Sequence, residues 1–128
     1  MARPSDVRRI ARSLPETVEG EDGFGFSVRT GTKDKGFAWV WRERVDPGRA
    51  RVPQPKVLVV RVANGAEKEA LIASDPEKFF TEPHYNGYPA VLVRLAAIGV
   101  KELRELLTDA WRTQAPKALV KDFDAGRR

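Results

Sequence analysis

Apolar residues recur at helical spacing toward both ends of the chain and at alternate positions through its middle, a pattern that places helices around a sheet. In "SDVRRIARSL", Val7, Ile10, Ala11 and Leu14 fall on one side of an amphipathic helix, with Ser5 placed to cap it and Pro15 to end it. From Phe24 the period becomes two: Phe24, Phe26 and Val28 alternate with Gly25, Ser27 and Arg29, as in a half-buried strand. "TGTKDKG" supplies turn residues before "FAWVW", where Phe37, Trp39 and Trp41 share a face, so a hairpin with Lys33 and Lys35 at its tip is expected. "KVLVVRVA" is apolar on both faces, the pattern of a central strand. Asn64 then caps a helix over "GAEKEALIAS", with Glu67 in the capping-box position and Leu71 and Ile72 as its main packing residues.

Asp75-Pro76-Glu77 starts a short turn that Phe79 and Phe80 anchor to the core. "AVLVRLA" is a further strand, and Val100, Leu103, Leu106, Leu107, Ala110 and Trp111 form the apolar stripe of a long helix ended by Pro116. Leu119, Val120 and Phe123 outline a short last helix before a flexible basic tail. The order helix, about three strands, helix, strand, helix, short helix predicts an α+β fold. Its antiparallel sheet carries the helices packed on one face, in a single domain over residues 1–128.

Two segments carry no period. "ETVEGEDGFG" holds four carboxylates (Glu16, Glu19, Glu21, Asp22) among glycines and reads as a solvated loop; its spacing matches neither a calcium loop nor a phosphate cradle. Residues 42–56, "RERVDPGRARVPQPK", read as a long, proline-stiffened, basic connection that cannot be a central strand. Charge concentrates around it. Between Arg29 and Lys56 eight basic residues stand against three acidic ones, a net +5 that equals the whole chain's +5. Such a field attracts polyanions, with nucleic acid the usual one in a cytoplasm; the plainer alternative is a solvated loop.

The chain has no cysteine, which excludes disulfides, thiolate catalysis and zinc or iron-sulfur sites built on thiolates. Charges interrupt the N-terminal "MARPSDVRRIARSLP", which is therefore not a secretory signal, and no apolar run is long enough for a bilayer. A cytoplasmic protein with no membrane partner is expected. His84 is the one histidine, without the company a metal site or a nucleophile-base pair needs, so no catalytic, metal or cofactor residues are assigned. Arg61 and Arg94, alone in apolar strands, either clamp an anion, snorkel to the sheet edge or pair with a carboxylate. Asn86-Gly87 is a strong tight-turn signal because both residues tolerate positive φ, so the segment around His84 should be a stiff loop entering a strand.

"FFTEPHYNGYPAVLVRL" followed by "ELRELLTDAWRTQAPK", together with the opening "VRRIARSLPETVEG", resembles the MmcQ/YjbR family from Val7 to about Lys117. His84 and Asn86 match the family's His-x-Asn step, in a motif loop that continues through Gly87 and Tyr88, and Trp111 and Ala115 match its last helix. The resemblance implies an α+β fold likened to CyaY-type sandwiches and to a double-wing DNA-binding domain. It also implies a non-catalytic DNA-binding protein that uses no cofactor. The segment Arg42 to Lys56 departs from the family pattern by being longer and more basic. In this reading Lys33, Lys35, Arg42, Arg49 and Arg51 contact the phosphates of double-stranded DNA, and the chain acts as a monomer. The alternatives are an adaptor module that binds a protein partner through its sheet, and an enzyme that uses His84.

Overall fold

Three to four residues make a helical turn, so Val7, Ile10 and Ala11 must share a side. In the computed structural model, which describes residues 1–20 and 25–126, all three are buried on α1 (Pro4–Ser13). The helix starts one residue before the Ser5 cap expected from sequence. Pro4 takes the first helical position, where its missing N–H costs nothing, and the Arg3 N–H donates to Asp6 Oδ2 at 2.9 Å. Pro15 pushes Leu14 into extended backbone (φ −83°, ψ 138°), which ends the helix.

The described strands are β1 (Thr17–Glu19), β2 (Gly25–Thr30), β3 (Lys33–Glu43), β4 (Val52–Arg61), β5 (Phe79–Phe80) and β6 (Ala90–Arg94). They form one antiparallel sheet in the order β1-β2-β3-β4-β6-β5. Part of the acidic segment expected to be loop is thus the edge strand β1. Glu16 stands just before β1, while Glu21, Asp22 and the strand start expected at Phe24 lie outside the described residues. Gly31 (φ 66°) sits at the first central position between Thr30 and Lys33 and lets a two-residue turn join β2 to β3.

A bulge corrects the aromatic row. Ser27 pairs with Gly36 and Phe26 with Ala38, so Phe37 is the extra residue. It joins Ala38 in the core beneath the helices, while Trp39 and Trp41 lie on the opposite face. The proline-rich connection also shrinks. β3 runs on to Glu43 and β4 begins at Val52, and a turn with Gly48 at φ 82° and Arg49 N–H bonded to Asp46 O (3.1 Å) closes the hairpin. Pro53 and Pro55 are tolerated in β4 because β6 pairs only with Val57 to Arg61, leaving no ladder partner for the prolines on that side.

α2 (Gly65–Ser74), α3 (Val100–Gln114) and α4 (Lys117–Asp124) join α1 over one face. Beneath them lie Val28, Phe37, Leu58, Val60, Val91 and Val93, with Leu103, Leu107 and Trp111 of α3, each worth about 1.5–3 kcal/mol when fully buried. The Trp111 Nε1–H donates to Pro15 O at 2.9 Å, which ties the end of α1 to α3. On the other face Val59, Ala90 and Leu92 are buried, with Trp39, Trp41, Val57, Phe80 and Tyr85 packed beside them. Among the described residues no helix is long and apolar enough to cross a membrane.

Candidate functional site

The segment from Glu82 to Pro89 runs between the helix-free face, where Tyr85 packs, and α2, and its backbone is closely specified. Pro83 opens a single 3-10 turn, in which Tyr85 N–H reaches Glu82 O (2.8 Å) and Asn86 N–H reaches Pro83 O (3.3 Å). Asn86 (φ −62°, ψ 129°) and Gly87 (φ 79°) then make a turn closed by Tyr88 N–H on Tyr85 O at 3.0 Å. These angles define a type II turn, which needs a positive φ only at its second central residue, so Gly87 alone uses the freedom the sequence attributed to both residues.

Lys68 holds this turn from inside. Its Nζ donates to Tyr85 O at 2.5 Å and to Tyr88 O at 3.1 Å, and the residue is 7% exposed. Burial pushes its ammonium below the ordinary lysine range. Sequence reading passed over Lys68, although its spacing of three and four from Leu71 and Ile72 places it on the packed side of α2. From above, the Trp39 Nε1–H donates to Tyr85 Oη at 3.0 Å. His84 is exposed and stands edge-on to the Tyr85 ring, with centroids 4.9 Å apart.

Between this loop and the sheet lies a cleft of about 470 Å³, lined by Ser27, Trp39, Arg42, Arg51, His84 and Tyr85 together with Gly20, Gly25 and Val40. A smaller hollow of about 260 Å³ shares Arg51 and His84 with it and reaches Trp41, Arg44 and Glu82. Two residues named from sequence for phosphate contact and one from the motif loop therefore meet around an aromatic floor. Asn86, Gly87 and Tyr88 lie instead on the loop's other side, near Lys68.

The five basic residues do not form one cluster. Lys33 and Lys35 belong to the β2–β3 hairpin, whereas Arg42, Arg49 and Arg51 belong to the β3–β4 hairpin at the other end of β3. Seven to nine residues of strand separate Lys35 or Lys33 from Arg42, about 23–30 Å at the usual rise. Within the second group Arg44 Nη1 donates to Arg49 O (3.0 Å) and Arg51 Nη1 to Arg42 O (3.3 Å), contacts that order the side chains without cancelling their charge. Among the described residues no carboxylate lies within ion-pair distance of Lys33, Lys35, Arg44, Arg49 or Arg51. The arginines of α1 differ. Arg8 and Arg12 both pair with Glu19, and Arg9 with Asp6, so two carboxylates offset most of that face's charge.

Arg61 and Arg94 are held by the fold. Arg61 Nη1 donates to Tyr88 Oη (2.6 Å), with its guanidinium 5.0 Å from that ring's centroid. Arg94 lies 4.0 Å from the Phe80 centroid and donates to Glu77 O at 3.0 Å. Neither is arranged as a clamp for an anion.

The chain matches the family model YjbR over residues 12–113. It is 43% identical over 129 residues to the uncharacterized protein Rv2570 of Mycobacterium tuberculosis and to the uncharacterized protein Mb2600 of Mycobacterium bovis, covering 96% of this chain and 96% of each relative. Among solved structures, the crystal structure of Deinococcus radiodurans protein DR2400, described by the family-model domain DUF419, aligns over 97% of this chain and 89% of that one. The TM-score is 0.68 and the identity 22%, so this likeness speaks for the fold.

Proposed function

The chain belongs to the YjbR family, and from that premise we propose that it is a non-catalytic protein that binds duplex DNA by its phosphates, through two basic hairpins. One observation carries the reading: both hairpins leave the same strand, β3, at opposite ends, so the sheet holds Lys33 and Lys35 at a set distance from Arg42, Arg49 and Arg51. The part of that distance that ends at Arg42, about 23–30 Å along the strand, lies within one turn of B-form duplex, about 34–36 Å. A duplex laid along β3 meets one hairpin at each end. Contacts of this kind set register on the backbone and carry no base sequence directly.

Counterion release gives the test. With about five phosphates neutralised, the logarithm of affinity falls against the logarithm of salt concentration with a slope near about −4.5. Fluorescence anisotropy of labelled duplex across a salt series measures it. The double variants Lys33→Ala/Lys35→Ala and Arg49→Ala/Arg51→Ala each remove two contacts and reduce the slope's magnitude by about 1.8. Loss at only one hairpin would contradict the two-point arrangement.

A further inference from the structure

The cleft against Trp39 is more than the end of a basic hairpin, because it combines a fixed aromatic face, guanidinium groups and hydrogen-bonding side chains in one cavity. The indole is set in place on two sides. It lies against Gly36, where a β-carbon would stand 3.7 Å from both Cε3 and Cζ3, and its Nε1–H is bound to Tyr85 Oη. Tyr85 is in turn held by Lys68 through its carbonyl. The ring is therefore positioned before any ligand arrives, which lowers the cost of stacking on it. Arg51 uses one N–H on Arg42 O, and a guanidinium has about five such donors in a planar fork that matches phosphate oxygens. Ser27 and His84 supply further polar groups across the opening. The volume, about 470 Å³, falls inside the range of small-ligand sites, about 300–1,000 Å³.

The geometry points to a binding site for one nucleoside 5′-monophosphate unit, with its base stacked on Trp39 and its phosphate held by Arg51 beside Arg42. The unit comes either as a free mononucleotide or as the unpaired 5′ end of a strand; the recognising chemistry is the same. Base stacking on an aromatic side chain tolerates every base, so the site discriminates by the joint presence of a planar ring and a phosphate. This site does not depend on duplex binding, since Lys33 and Lys35 take no part in it.

Isothermal titration of the full chain with AMP, adenosine, inorganic phosphate and a 5′-phosphorylated thymidine tetranucleotide tests the proposal. AMP is expected to bind about tenfold or more tightly than adenosine or phosphate alone, and Arg51→Met to weaken it by about tenfold. Lys33→Ala/Lys35→Ala should leave AMP affinity unchanged while weakening duplex, which separates this site from the duplex reading. In a proton–nitrogen spectrum, AMP should shift the Trp39 indole N–H and leave that of buried Trp111 in place. A tetranucleotide binding more tightly than AMP supports a strand end as the source, and the reverse order supports a free nucleotide. The proposal is overturned if neither AMP nor the tetranucleotide binds at millimolar concentration, if adenosine matches AMP, or if folded Arg51→Met binds AMP as the parent does.

Discussion

Replacing Lys68 by methionine tests whether the loop that walls the cleft is held in place by a buried cation. The change keeps an unbranched apolar stem one atom shorter and removes the Nζ with its two hydrogen bonds to Tyr85 O and Tyr88 O. Bonds to a charged donor contribute about 1.5–3 kcal/mol each, so about 3–6 kcal/mol is at stake before offsets. Two offsets reduce it. The ammonium no longer has to be desolvated, and neither carbonyl is orphaned, because Tyr88 N–H still reaches Tyr85 O and Ala90 N–H still reaches Tyr88 O. A net loss of about 2 kcal/mol follows, to be read as a lower urea midpoint with an unchanged slope.

The same residue gives a pH signature. Burial depresses the folded-state pKa of Lys68 below its unfolded value, so above the folded pKa the unfolded chain binds more protons. Stability contributed at this residue therefore rises with pH between the folded pKa and the unfolded value. The parent should gain on Lys68→Met in that window, and the gap between them should stay constant below it, where the residue is protonated in both states. A loss below about 0.5 kcal/mol, the range of ordinary surface substitutions, would refute the idea that Lys68 holds the loop.

Two other substitutions check the frame around the site. Trp111→Phe removes the indole donor from Pro15 O and leaves a gap in the core at a fully buried position, so a loss of about 2–4 kcal/mol in thermal or urea unfolding is expected. Gly87→Ala meets no atom within 4 Å but must hold φ 79°, so it should cost about 1–2 kcal/mol from backbone strain alone and lower the melting temperature without changing the sheet's circular dichroism.

The long elements were legible because their side chains repeat. The stripes of α1 and α3 and the doubly apolar run of β4 each span enough residues for a period to appear. β1 and β5 have three residues and two, too few for alternation, and become strands only because β2 and β6 offer a free edge. Phe37 was misplaced because a bulge moves every later residue to the other face, and nothing in "GFAWVW" marks where the extra residue falls. The site was half visible. Its basic residues stand out in the charge count, but residues close in sequence separate in space when the chain between them is a strand. The pairing of Trp39 with Tyr85, 46 positions apart, is long-range and leaves no local trace.

The proposed duplex binding rests on two basic hairpins, at opposite ends of β3, that hold one duplex by its phosphates. The salt dependence of duplex affinity measures it most directly, because the slope counts the phosphates neutralised. A slope near about −4.5, reduced by about 1.8 when either hairpin's pair of cations is removed, is the predicted result. Micromolar or weaker binding with a flat salt response would contradict it.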